Sequence, residues 1–114
     1  MHAELHYEIG RALQESGDNK NAFKSFHASK KLNPRDAKPD NALGMLYYKA
    51  EKWDKALEYF KKAYTYNDLH TTAKYNAAII AKELGDKALA EKLLFEAVSD
   101  NPKFKALMDQ KLKN

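Results

Sequence analysis

Apolar and small residues recur along this chain at helical spacing, in short blocks separated by breaks. Between Ala37 and His70, Leu43, Leu46, Tyr47 and Ala50 fall three and four apart, and Ala56, Tyr59, Phe60 and Ala63 do so after Ala50-Glu51-Lys52. That period belongs to a helix with one buried face, so the stretch predicts two helices joined by a short turn. Sliding it by 34 residues puts Gly44 on Gly10 and Ala78, Ala56 on Ala22 and Ala90, and Phe60 on Phe26 and Leu94. Leu43 aligns with Ile9 and Ala77, Tyr47 with Leu13 and Ala81, Ala63 with Ser29 and Ala97. Pro34 and Pro102 stand two periods apart, with Asp68 in the slot between. Small, bulky and breaking residues each keep a column, which makes the chain a tandem array.

The turns between helices carry their own signals. Ser16-Gly17-Asp18 and Leu84-Gly85-Asp86 offer a glycine for the left-handed residue that ends a helix, then an aspartate to cap the next. The middle unit has neither, so its turn is expected to be the least well specified, although Asp54 favours the following helix from its first turn. Gly10 and Gly44 lie inside helical patterns, where glycine costs roughly 0.5–1 kcal/mol relative to alanine. A close approach of the neighbouring helix is expected to offset this, with Ala22 and Ala56 opposite and Phe26, Phe60 and Leu94 filling the space one turn along. Helices are expected over 3–15, 20–32, 37 to about 66 in two parts, 72–83 and 87–99. Asp36 is placed to cap the third helix, whose first turn tolerates Pro39. Asn67-Asp68-Leu69-His70 reads as a connector, with Asp68 or Thr71 as the next cap. Past Asn101-Pro102, the stripe Phe104, Leu107, Met108 and Leu112 suits a short seventh helix over the apolar flank of the sixth.

This period and these columns resemble the tetratricopeptide repeat, a helix–turn–helix unit. The resemblance divides the chain into repeats at 3–36, 37–70 and 71–104 and a capping helix at 105–114, within one domain. It implies an all-α fold, a right-handed α-solenoid of antiparallel helix pairs whose first helices line a concave groove. His6, Asp40 and Lys74 stand where the family often has an aromatic residue, Ser29 replaces a small alanine, and Asp68 replaces proline. Each is expected to weaken a single contact without breaking the register. Counted from the repeat starts, the inward columns hold Tyr7 and Arg11, then Asn41, Met45 and Tyr48, then Tyr75, Asn76, Ile79 and Lys82. Rings supply area and amides can bond a peptide backbone, so the resemblance implies a non-enzymatic scaffold or adaptor with a protein or peptide partner. The bland alternative is that several of these side chains pack on the next repeat. A second function is a structural segment of a larger array or a self-associating protein, as in bacterial pilus or secretion assembly, with a homo-oligomer as its form. Family members that grip the carboxylate end of heat-shock chaperones use several Lys, Asn and Arg; the matching positions here are Tyr7, Arg11, Ala42, Thr72 and Asn76. Only Arg11 is a cation, so an apolar or mixed peptide is expected instead.

Composition narrows the remaining classes. The chain has 20 Lys and Arg against 16 Asp and Glu, a formal charge of +4, spread over the repeats. A nucleic-acid interface would need a basic stripe with stacking aromatics. Lys30-Lys31 and Lys61-Lys62 are instead expected on the solvated face of second helices, and Lys103, Lys105, Lys111 and Lys113 form the one basic cluster. No nucleic-acid partner is therefore expected. The absence of cysteine excludes disulfides, zinc–thiolate sites and thiol catalysis. No run of 18 apolar residues exists to make a helical membrane span. Met1 to Gly10 reads as the first helix, not as an apolar leader, which makes the cytoplasm the default expectation. His2 and His6 lie four apart, but the zinc-protease pattern needs a glutamate where Ala3 stands. His27 and His70 have no companion ligands in the sequence, and Ser25, Ser29, Thr71 and Thr72 show no nucleophile motif. No catalytic residue, metal or cofactor is expected.

Overall fold

The computed structural model describes residues 2–66 and 71–104. Among the described residues six α-helices follow one another: α1 (His2–Glu15), α2 (Asn19–Leu32), α3 (Ala37–Lys49), α4 (Trp53–Tyr66), α5 (Thr71–Glu83) and α6 (Lys87–Asp100). A single 3₁₀ turn, Pro102–Phe104, closes the described chain, and no strand occurs among the described residues. The helices pack as α1 on α2, α3 on α4 and α5 on α6, and successive pairs join through α2–α3 and α4–α5. This is the α-solenoid that the 34-residue period implies. The connector at 67–70, with Asp68 as a cap, and the helix over 105–114, with Leu107, Met108 and Leu112, lie outside the described residues. Among the described residues no helix is long and apolar enough to cross a membrane.

All three hairpin turns share one geometry. The amides of Asp18, Lys52 and Asp86 reach back to the carbonyls of Leu13, Tyr47 and Ala81, five residues earlier, at 2.9, 2.9 and 2.8 Å. Such a bond closes a helix when the preceding residue is left-handed. Gly17 and Gly85 take that role with φ of 89° and 85°, and Glu51 takes it with φ of 59°. The middle turn is thus as regular as the others, at the cost of holding a side chain in a disfavoured conformation. Asp18 and Asp86 then cap α2 and α6 by accepting from the amides of Asn21 and Leu89, and Asp36 caps α3 through Lys38. Asp54 lies in the first turn of α4, as expected.

At the glycine columns the helices approach closely. A Cβ on Gly10 would lie 2.7 Å from the Phe26 ring, and one on Gly44 would lie 2.6 Å from the Phe60 ring. Glycine therefore seats a phenylalanine ring, with Ala22 and Ala56 in the same buried clusters as Phe26 and Phe60. Both rings are fully buried. In the third pair the same columns hold Ala78 and Leu94, both in the core, a larger residue matched by a smaller one. One core cluster, with Phe26, Leu43 and Leu46, ties α2 to α3; a second, with Phe60, Ile80, Leu93 and Leu94, ties α4 to α5 and α6.

Two of the three fourth-position departures, Asp40 and Lys74, make ion pairs between helices. Asp40 on α3 is fully buried and ion-paired with Lys30 on α2. Lys74 on α5 is also buried and reaches Asp100 at 2.8 Å and Glu96 at 3.6 Å on α6. The slot of an aromatic ring has been refitted with ion pairs. Ser29, in place of a small alanine, donates its hydroxyl to the carbonyl of Ala3 at 2.7 Å and so fastens α2 to α1. The lysine pairs are likewise split: Lys31 and Lys61 are exposed, whereas Lys30 turns to Asp40 and Lys62 lies 4.5 Å from the centre of the Tyr59 ring.

Candidate functional site

The nine candidate residues stand on α1, α3 and α5, and their contacts fall into two groups. Tyr7 is half-buried on α1, its ring centre 5.7 Å from that of Phe26. The Lys38 ammonium, one repeat along on α3, lies 5.5 Å from the Tyr7 ring centre. Burial raises the Tyr7 hydroxyl above its ordinary value, against the opposing pull of Arg11 and Lys38. Tyr7 thus stays a neutral hydroxyl with an apolar body, a form suited to one wet and one dry side. Arg11, one turn on, is exposed and only loosely paired with Glu8 at 3.8 Å.

The second group spans α3 and α5. Met45, Tyr48 and Tyr75 are half-buried against the Phe60 core cluster. Asn76 donates its side-chain amide to the Met45 sulfur at 3.5 Å, which joins the two helices directly. The Tyr48 ring meets Trp53 edge-on, centres 5.4 Å apart. Burial raises the Tyr75 hydroxyl, and Tyr48 pushes it the same way, so the two tyrosines share one neighbourhood. Asn41, one turn before Met45, has its Oδ1 buried with no hydrogen-bond partner among the described residues. Ile79 and Lys82 continue the α5 face one and two turns past Tyr75, both half-buried.

The structure therefore brings Met45, Tyr48, Tyr75 and Asn76 together, while Tyr7 and Arg11 form a neighbouring patch linked through Lys38. Trp53 belongs to the first set and is absent from the nine. As the only tryptophan in the chain, placed at the start of a second helix, it could have been singled out by residue type but not by column. A cleft of about 600 Å³ lies elsewhere, between the start of α2 and the end of α3, and none of the nine lines it.

Two family models, both described as tetratricopeptide repeat, match residues 3–36 and 41–103. No curated protein matches the chain at a significant level. Among solved structures, the first TPR of Spaghetti (RPAP3) bound to the HSP90 peptide SRMEEVD gives a TM-score of 0.86 at 16% identity, over 99% of this chain and 94% of that one. The Yersinia enterocolitica type III secretion chaperone SycD, in complex with a peptide of the translocator YopD, gives 0.82 at 24% identity, over 94% and 84%. YrrB, described as a TPR protein with an unusual peptide-binding site, gives 0.84 at 23% identity, over 100% and 58%. At these identities the likeness is one of fold.

Proposed function

Because the chain belongs to the tetratricopeptide-repeat family, we propose that it is a protein-interaction module that holds an extended segment of a partner along α1, α3 and α5. In this reading 3–36, 37–70 and 71–104 are the repeats, and each contributes its first helix to the groove. Tyr7, Met45, Tyr48, Tyr75 and Ile79 supply apolar area, Asn41 and Asn76 bond the partner's backbone, and Arg11 and Lys82 border the strip. The observation that carries the reading is the set Met45, Tyr48, Tyr75 and Asn76. Three half-buried side chains pack on one core cluster, and beside them the Asn76 amide donates to the Met45 sulfur, a weak acceptor that a peptide carbonyl would outcompete. The unpartnered Oδ1 of Asn41 adds support, since such a group costs about 1–3 kcal/mol until something turns it outward. The peptides held by SycD and by the RPAP3 repeat agree with the class of partner. The two-carboxylate clamp is not part of the proposal, because Tyr7, Ala42, Thr72 and Asn76 leave Arg11 as the sole cation in its positions.

A displayed library of random peptides, selected on the immobilised chain, supplies ligands whose affinities calorimetry then measures. Tyr48→Ala and Asn76→Ala are each expected to weaken the selected peptides about tenfold, roughly 1.4 kcal/mol, with helicity intact by circular dichroism. Affinities unchanged in both variants would remove the groove from consideration.

A further inference from the structure

The 600 Å³ cleft between α2 and α3 has a floor and a rim of opposite character. Leu46, Phe23 and Tyr47 make the floor, the first buried and the rings half-buried. Lys20, Lys24, Lys49 and Lys52 stand around it, all exposed, and no acidic residue lines it. The two lysine pairs are far apart in sequence, so charge counted repeat by repeat shows no concentration there. Only the packing of α2 on α3 assembles it.

Five other lysines have partners: Lys30 has Asp40, Lys55 has Glu58, Lys74 has Asp100, and Lys38 and Lys62 lie over tyrosine rings, whereas Lys31 and Lys61 are exposed like the rim lysines. Among the described residues none of the four rim lysines is within ion-pair distance of a carboxylate. Asp18, in the turn before α2, nonetheless feels them: its pKa is lowered by its hydrogen bonds from Asn21 and further by the charges of Lys20 and Lys24. The carbonyls of Leu46, Tyr47 and Tyr48 at the end of α3 already accept from the amides of Ala50, Lys52 and Glu51. They are therefore engaged within the turn.

We propose that this cleft is a second binding site, distinct from the groove, for an acidic peptide segment that carries a bulky apolar side chain. The apolar side chain occupies the floor over Leu46, and carboxylates on either side of it meet the two lysine pairs. Charge complementarity selects the partner. A volume of about 600 Å³ is in the range of sites that enclose a small ligand or a few side chains. The ring geometry argues against a nucleic acid. Phe23 meets Tyr47 edge-on at 5.1 Å and His27 at 4.6 Å, and Tyr47 stacks on Tyr59 at 5.4 Å. These faces are engaged with one another, whereas single-stranded nucleic acid needs free ones. Burial and Lys30 hold His27 below its ordinary pKa, so the ring row adds no charge of its own near neutral pH.

The probe is a fluorescein-labelled peptide with a central Leu-Phe pair flanked on both sides by alternating Asp and Glu, followed by fluorescence polarisation with the whole chain. Binding is expected for the wild type. It should weaken about tenfold or more in the double variant Lys20→Glu, Lys49→Glu, and about fivefold when the central pair is Ala-Ala. Tyr48→Ala and Asn76→Ala should leave it within about twofold, which separates this site from the groove. All four positions are checked for folding by thermal melts, and Lys20 and Lys49 are exposed. The proposal is overturned by an unbound probe, by full affinity in the double lysine variant, or by equal affinity for the Ala-Ala peptide. Displacement of the probe by a single-stranded oligonucleotide at lower concentration than by unlabelled peptide overturns it in favour of a nucleic acid. Self-association of the wild type that the lysine variant abolishes overturns it in favour of a second copy.

Discussion

Glu51 holds a left-handed conformation that its counterparts in the other two hairpins leave to Gly17 and Gly85. A residue with a Cβ gives up about 1–2 kcal/mol there, while glycine gives back part of that advantage through the entropy of the unfolded chain. Glu51→Gly is therefore expected to stabilise the protein by about 0.5–1 kcal/mol, visible as a melting temperature several degrees higher. A lower melting temperature would mean that the Glu51 side chain contributes something the backbone does not reveal. The two turns with glycine and aspartate were legible in advance, because those residues act within their own few positions, whereas the middle turn has neither and is as regular as they are. The seating of Phe26 on Gly10 and Phe60 on Gly44 was not legible. A column identifies a small residue and a large one, but the side-chain direction decides which of two candidates fills the gap.

Between elements, the pair Lys30–Asp40 fixes α2 against α3 in a place where the repeat usually puts an aromatic ring. Burial raises the Asp40 pKa, and Lys30 pulls it back down without cancelling the rise. A folded-state value above the ordinary 3.8 means that this carboxyl favours the fold most below 3.8 and favours it less as pH climbs through the folded value. Lys30→Ala leaves a buried carboxylate uncompensated, which is expected to cost about 3 kcal/mol near neutral pH. The loss should shrink as pH falls through the raised Asp40 value, where the carboxyl takes a proton, and urea unfolding at neutral and at acidic pH measures both. An equal loss at both would show that Lys30 acts through its stem and not its charge. The pairing escaped the sequence for a simple reason. Asp40 looked like a missing ring in its own column, and its partner lies ten residues back in another repeat, a relation that no period records. The same applies to the candidate groove, where columns placed nine residues on three helices but not Trp53 beside Tyr48.

Across the whole molecule burial is uneven. α1 buries Gly10 alone, whereas α3 buries positions from Ala37 through Leu46 and takes part in contacts on both sides. In an array whose units lean on neighbours, the least-held helix opens first. Native-state hydrogen exchange should show α1 amides opening at a free energy about 2 kcal/mol or more below those of α3. Equal protection would mean that the Ser29 bond to Ala3 and the Tyr7–Phe26 contact lock α1 into the global unfolding unit. The proposed binding surfaces sit differently on this gradient: the cleft rests on α2 and α3, while the groove extends onto α1 through Tyr7 and Arg11.

The match of glycine to phenylalanine, and of alanine to leucine, also constrains how such a chain can be rearranged over evolutionary time. A crossover inside a hairpin that joined the Gly44 helix to the Leu94 helix would open a void, and the reverse exchange would drive the Phe60 ring into the Ala78 methyl. A crossover between hairpins leaves each match whole. The heritable module is thus the complete two-helix unit, and duplication or swapping of repeats meets the least resistance when it cuts between them.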